Sequence, residues 1–222
     1  MKISKKFLVI LLALSMLFLA AGCGDKDVQT LASVDVAQQE STLTTEAGQT
    51  VSLSYPVVSA TTNSTDVDKM LEKLNARFQQ DAEAFVQQVA DEFGSVAGDA
   101  VFAYHAEVRY NAKGMLSVVQ MEDFAGEKYL QYAATYSLGS GDKMTLGELL
   151  DMKESKAEAT VIQQFGGVVQ SDPATFHADA AEYIKEHLDE VQYYRYDEGL
   201  GVFCQPGTIA SESTGVLEMV IQ

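Results

Sequence analysis

The sequence predicts an α+β domain: an antiparallel sheet, a meander plus C-terminal strands, flanked by one long N-terminal helix and one or two helices from the C-terminal half. Three observations predict it. A single apolar stripe at three- and four-residue steps runs from Val67 to Phe93. Three strand-like segments, separated by short glycine-containing turns, follow between Val101 and Leu138. Helical and aromatic strand-like segments then succeed one another to Ile221.

The elements read as follows. Thr50 to Ala60 is a strand, and Pro56 makes it an edge strand or breaks it, because proline has no ladder donor. Asn63-Ser64-Thr65-Asp66 supplies N-cap residues for the long helix. Its inner stripe is Val67, Met70, Leu71, Leu74, Phe78, Phe85, Val89 and Phe93, and Gly94 ends it. In Val101 to Asn111, Phe102, Tyr104, Ala106, Val108 and Tyr110 alternate with His105, Glu107 and Arg109. Asn111-Ala112-Lys113-Gly114 turns the chain into a return strand, Met115 to Phe124. Ala125-Gly126-Glu127-Lys128 turns it again into Tyr129 to Leu138.

Thr145 and Glu148 make a capping box for a short helix, Leu146 to Leu150. A further helix spans about Ser155 to Val169. Asp172-Pro173 is read as the start of another, reaching about Glu190, with Phe176, Ala180, Tyr183, Ile184 and Leu188 inward. Tyr193 to Tyr196 and Leu200 to Cys204 pair across Asp197-Glu198-Gly199, and Val216 to Ile221 is the last strand. There is no internal repeat.

The N-terminus predicts the compartment. Lys2, Lys5 and Lys6 precede an apolar run, Phe7 to Ala21, broken only by Ser15. That run is short for a membrane span and reads as an export signal. Leu19-Ala20-Ala21-Gly22-Cys23 resembles the lipobox of bacterial lipoproteins, with Ala20 where leucine is commonest. The resemblance implies cleavage between Gly22 and Cys23 and acylation of Cys23 with palmitate-type chains. The expected address is the outer leaflet of the bacterial cytoplasmic membrane. Residues 24–48 lack aromatics and are rich in Asp, Gln, Ser, Thr and Ala, so they are expected to form a flexible tether. The domain is expected to fill 49–222.

The 222 residues carry 15 Lys+Arg and 32 Asp+Glu. Removing the first 22 residues leaves 12 basic residues and a formal charge of −20. Such acidity argues against nucleic-acid binding, which needs a basic face. It suits solubility and the choice of a basic partner. Two cysteines exclude a disulfide scaffold and a cysteine-built zinc cluster.

Catalytic motifs are missing: there is no HExxH, GxSxG, Walker loop or GxGxxG. No catalytic residue, metal or cofactor is expected. His105 and Glu107 share one strand face and could share a proton or a metal, although a solvated His-x-Glu is the ordinary case. His177 and His187 stand ten apart, about 15 Å along a helix, too far to ligate one ion. Cys204, in an apolar strand with no cation beside it, reads as buried and inert. Tyr193-Tyr194-Arg195-Tyr196 is the candidate binding surface, above all Tyr194, Tyr196 and Arg195. Aromatic rings there could stack on sugars or anchor a protein, against the ordinary reading of one packed face and one polar face.

The order of elements also resembles the extracellular domain of RsiV-type anti-sigma factors, which recurs as an accessory domain of PdaC-type peptidoglycan deacetylases. The residues that carry the resemblance are Tyr55-Pro56, the helix stretch Val67 to Asn75, Gly141 to Leu150, and Tyr193 to Ala210 with closure at Gly215. The chain departs from that pattern at Phe124-Ala125-Gly126-Glu127, at Gly207, and at Ala210-Ser211-Glu212. The resemblance implies a non-enzymatic, envelope-exposed binding domain, with lysozyme-type muramidases as the named partner. Neither the sigma-binding segment of the former nor the catalytic domain of the latter is expected in this chain. Glycan or small-ligand binding through the tyrosines is the alternative, and a hydrolase using His105 and Glu107 is a more distant one.

Overall fold

The computed structural model describes residues 30–95, 98–197 and 199–221. The expected signal, the Gly22/Cys23 cleavage site and the acylated Cys23 lie outside the described residues. The elements run β1 (Asp35–Thr44), β2 (Thr50–Ser59), α1 (Thr65–Phe93), β3 (Val101–Ala112), β4 (Met115–Phe124), β5 (Tyr129–Ser137), α2 (Leu146–Leu149), α3 (Glu154–Ser171), α4 (Ala180–Glu186), β6 (Gln192–Tyr196), β7 (Gly199–Phe203) and β8 (Glu218–Ile221). The α+β class holds. The strands form two sheets, a five-stranded one in the order β1-β2-β3-β4-β5 and a three-stranded one, β6-β7-β8.

The long helix is as the stripe predicts. Ser64 caps it by accepting from the Val67 amide, and Val67, Met70, Leu71, Leu74, Phe78, Ala82, Phe85 and Val89 are buried. It lies on one face of the large sheet over Phe102, Tyr104, Ala106, Leu116, Val118 and Phe124. Because α1 connects β2 to β3, those strands run parallel, from Thr50↔Val101 to Ser54↔His105. A parallel pair requires such a crossover, so the sheet is mostly, not wholly, antiparallel.

Pro56 sits in an interior strand, and the register explains how. Thr50 directs its amide to Ala100 on the β3 side, so the even residues of β2 face that side. Pairing with β3 has ended at Ser54, and the missing donor of Pro56 has no ladder to break. One repeat further on, the Asn75 side chain takes the place of a strand. Its carboxamide accepts from the Val58 amide at 2.8 Å and donates to the Val58 carbonyl at 2.9 Å.

The expected tether needs correcting. Residues 35–44 form β1, paired with β2 along its whole length from Asp35↔Ser59 to Thr44↔Thr50. Asn111 also holds both Val34 backbone groups, at 3.0 and 2.7 Å. The ordered domain therefore begins well before residue 49. The strand is held by backbone bonds and buries almost no side chain.

A second correction concerns the helix expected from Pro173. Phe176 forms a bridge with Ala210 and the His177 amide donates to Ile209 at 2.9 Å. That pulls the chain out of helix until Ala180. The C-terminal strands also do not extend the meander. The free edge of β5 is closed: Gln205 clips both backbone groups of Gln131, Gln192 accepts from Ala133, and Thr135 and Ser137 bond Met144 and Asp142. The second sheet packs face-on instead, with Tyr194 and Phe203 against Val119 and Ala133. Its other face meets α3 and α4 through Leu200, Val202, Val161, Phe165 and Ile184.

Candidate functional site

A β-bulge sets up the site. The β3–β4 register shifts between Val108 and Tyr110, so Arg109 is the extra residue. Beyond it Tyr110 pairs with Ser117 rather than Leu116. The alternation predicted for this strand thus fails at one point, and Tyr110 moves to the face opposite Val108. Arg109 is re-aimed with it. Its guanidinium pairs with the Glu107 carboxylate, and His105 Nε2 lies 3.8 Å from the other oxygen of Glu107.

Arg109 lines one wall of a cleft of about 380 Å³, and Tyr194, Tyr196, Asp197, Glu218 and Val220 line the rest. The cleft opens where the three-stranded sheet ends over β3. It joins two groups of residues that the sequence presents separately, the His105-Glu107-Arg109 row and the tyrosine strand.

The three residues of the candidate surface do not converge. Tyr194 is core: it is 6% exposed and packs with Phe203, Val119 and Ala133. Its hydroxyl donates to the Glu218 carboxylate. Burial, that hydrogen bond and the Glu218 charge all raise its pKa, so it stays a neutral donor. The ring lies across Gly201, where a Cβ would come within 2.6 Å of it. Gly201 is therefore required by close approach. Tyr196 is half-buried at the cleft, its ring 6.1 Å from that of Tyr194. Arg195 falls on the other face of β6, as alternation demands. Its amide donates to Thr135 Oγ1 at 3.0 Å, and its Nε is buried without a hydrogen-bond partner.

Asp197, Glu218 and Val220 were not singled out from the sequence. Gly201, a glycine inside an apolar strand, was the available signal that something approaches the backbone there. The remaining candidates lie apart. Cys204 is buried, and burial, with Glu190 nearby, pushes its thiol up to about 12. His187 stacks on Tyr183 at 4.2 Å between centroids, and His177 sits at the bridge that interrupts the helix. Among the described residues, no three His, Cys, Asp or Glu side chains gather to hold a metal, and no helix is long and apolar enough to cross a membrane.

The site is electronegative. Asp197 and Glu218 face a single guanidinium that Glu107 already neutralises. From Asp172 to the C-terminus the sequence holds 10 acidic residues and 2 basic ones. On α1, Gln79, Gln87 and Gln88 hold Glu83, Asp91 and Glu92 by amide hydrogen bonds at 2.8–3.0 Å. These bonds orient the carboxylates and leave their charge in place.

No protein-family model and no curated protein matches the sequence. Solved structures do share the fold. A DUF3298 family protein from Bacteroides fragilis superposes with a TM-score of 0.57 at 10% identity, over 87% of this chain and 92% of that one. Another, from Pseudomonas aeruginosa, gives 0.56 at 11% identity, over 88% and 92%. The chain has the fold of these DUF3298 proteins. At such identity the likeness extends to the fold alone.

Proposed function

We propose that this protein is a non-enzymatic, lipid-anchored binding protein of the bacterial cell surface that captures a basic extracellular protein. Lysozyme-type muramidases are the named candidate. The observation that carries the reading is the acidic cleft at the end of the second sheet. Tyr196 offers a half-buried ring beside Asp197 and Glu218, a setting that suits a lysine or arginine side chain inserted from a partner. The lipobox-like Leu19 to Cys23 supports an anchor at Cys23, and the RsiV-type resemblance supports the partner class. A charge of −20 on the processed chain would speed encounter with a basic protein.

The test is calorimetry on the full chain in nanodiscs of neutral lipid. Lysozyme is titrated at low and high salt, with a basic non-muramidase of similar size as control. Saturable binding to lysozyme alone, surviving salt and weakened about tenfold or more in Tyr196→Ala or Asp197→Asn, is the expected result. Binding to both proteins that vanishes in salt overturns it, because non-specific charge would then be the whole effect.

A second reading rests on the same cleft. A ring flanked by two carboxylates and a guanidinium also suits a sugar, and about 380 Å³ is room for a small one. Peptidoglycan fragments that bind wild type and not Tyr196→Ala would favour it. The more distant hydrolase reading fails if a His105→Ala protein turns over like wild type.

A further inference from the structure

The cleft at the end of the second sheet carries charge of both signs. Arg109 forms one wall, and Asp197 and Glu218 stand in the rest of the lining. Opposite charges that share a cleft attract and tend to close on each other. Here they are held apart. The bulge leaves Arg109 beside Glu107 of its own strand, which it binds through Nη2. Glu218 is held from its own side by the Tyr194 hydroxyl. Among the described residues, neither Asp197 nor Glu218 comes within ion-pair distance of the guanidinium. Glu107 offsets the charge of Arg109 without exhausting it as a donor, because a guanidinium has more N–H groups than one carboxylate can use. The side chain is 48% exposed, so the remaining donors are accessible. Its field also reaches the cleft floor: burial and the Glu218 bond raise the Tyr194 pKa, and Arg109 opposes them.

We infer that the cleft takes a chain-terminal basic residue, the C-terminal lysine or arginine of a partner. Its free carboxylate sits on Arg109 and its cationic head on Asp197 and Glu218. The inference rests on the reading of the cleft as a cation site and adds the anionic half of the ligand. The stem of the side chain lies on the half-buried ring of Tyr196 and on Val220, which is 52% exposed. That is apolar surface of the kind that lysine and arginine methylenes cover. At about 380 Å³ the cleft has the size of a small-ligand site. Charge selects among the occupants. An internal lysine satisfies the acidic wall alone and offers Arg109 a neutral carbonyl, and a charge-assisted bond is about twice as strong as a neutral one. An uncharged sugar answers neither wall with charge. A terminal basic residue answers both.

The test compares two probes on the full chain in nanodiscs of neutral lipid, titrated by ligand-observed NMR. Nα-acetyl-lysine mimics a C-terminal lysine, and Nα-acetyl-lysine amide mimics an internal one. Wild type is expected to bind the carboxylate form tighter by about fivefold or more, a partly exposed charge-assisted bond being weaker than a buried one. Arg109→Gln should remove that preference, and Arg109→Lys should keep part of it. Asp197→Asn should weaken both probes and leave their ratio as in wild type. The melting temperature of each variant checks that it is folded. Equal binding of the two probes to wild type overturns the inference and leaves the cation-site reading standing. A preference that survives Arg109→Gln overturns it as well. If neither probe binds, the inference falls, and lysozyme titrated on the same nanodiscs decides whether the cation-site reading falls with it.

Discussion

The two faces of the five-stranded sheet are built on different principles. The face under α1 is aromatic. Phe85 meets Tyr104 and Phe124, Phe93 meets Phe102 and Phe124, and Phe78 meets Tyr136, with ring centroids 5.1–5.8 Å apart. The opposite face presents Ser117, Val119, Ala133 and Thr135, small or hydroxylated residues, to the second sheet. Polar bonds join it to that sheet: Thr135 to the Arg195 amide, and Gln192 to the Ala133 amide. One face is thus held by dispersion and ring packing, with a helix that follows in the chain. The other is held by directed bonds to a segment some sixty residues away. A face of small side chains lets a second sheet approach closely. It then depends on hydrogen bonds to set the position of that sheet, and so the geometry of the cleft.

The largest effect expected from breaking this contrast is at Phe85, which is 1% exposed. Phe85→Ala removes a ring from the middle of the aromatic face and should cost about 3–5 kcal/mol, read by urea unfolding. A loss below about 1 kcal/mol would mean that this face is not the main core.

Glu122 sharpens the contrast, because it is a carboxyl on the aromatic face. It pairs with Tyr104 and Leu130 and is 8% exposed. Burial pushes its pKa from 4.5 up to about 7, with Asp81 and Glu92 adding to the rise and Lys128 opposing it. A folded pKa above the unfolded one means that protonation favours the fold. Its contribution is full below about 4.5 and is lost as pH rises through about 7. Glu122→Gln should therefore stabilise the protein at pH 8 by roughly 2 kcal/mol and hardly at all at pH 4.5. A gain equal at both pH values would show that titration is not the cause.

The same contrast explains what was legible in the sequence. The aromatic face was readable because its periodicity is local. The stripe of α1, the Ser64 cap, strands β3 to β5, and both halves of the Thr145–Glu148 capping box follow from residues close in the chain. β1 was unreadable because DVAQQESTLT is exposed on both faces. A strand held by its backbone alone writes no hydrophobic pattern. The helix expected at Pro173 was lost to a long-range bridge between Phe176 and Ala210. For the site, alternation correctly separated Tyr194 and Tyr196 from Arg195, but it could not say which tyrosine the second sheet would bury. Asp197 and Glu218 reach the cleft only through the β6–β7–β8 pairing, which no local pattern announces.

The smallest effect tests the second face directly. Ser117 and Thr135 are wholly buried, and their hydroxyls lie 2.8 Å apart. Thr135 Oγ1 also accepts from the Arg195 amide. Thr135→Val keeps the shape but strands both the Ser117 hydroxyl and the Arg195 amide, so a loss of about 1–2 kcal/mol is expected. Thr135→Ser keeps the hydroxyl and should lose less. In the double variant Ser117→Ala/Thr135→Val one orphaned group is gone, so its cost should fall below the sum of the two singles. If the costs simply add, and Thr135→Ser matches Thr135→Val, then packing holds this face as it holds the other. Directed bonds are the right account only if the hydroxyl, rather than the methyl, carries the loss. In that case the same variants should shift the second sheet over β3 and weaken any ligand of the Tyr196 cleft, while Phe85→Ala, measured where the protein is still folded, should leave that binding unchanged.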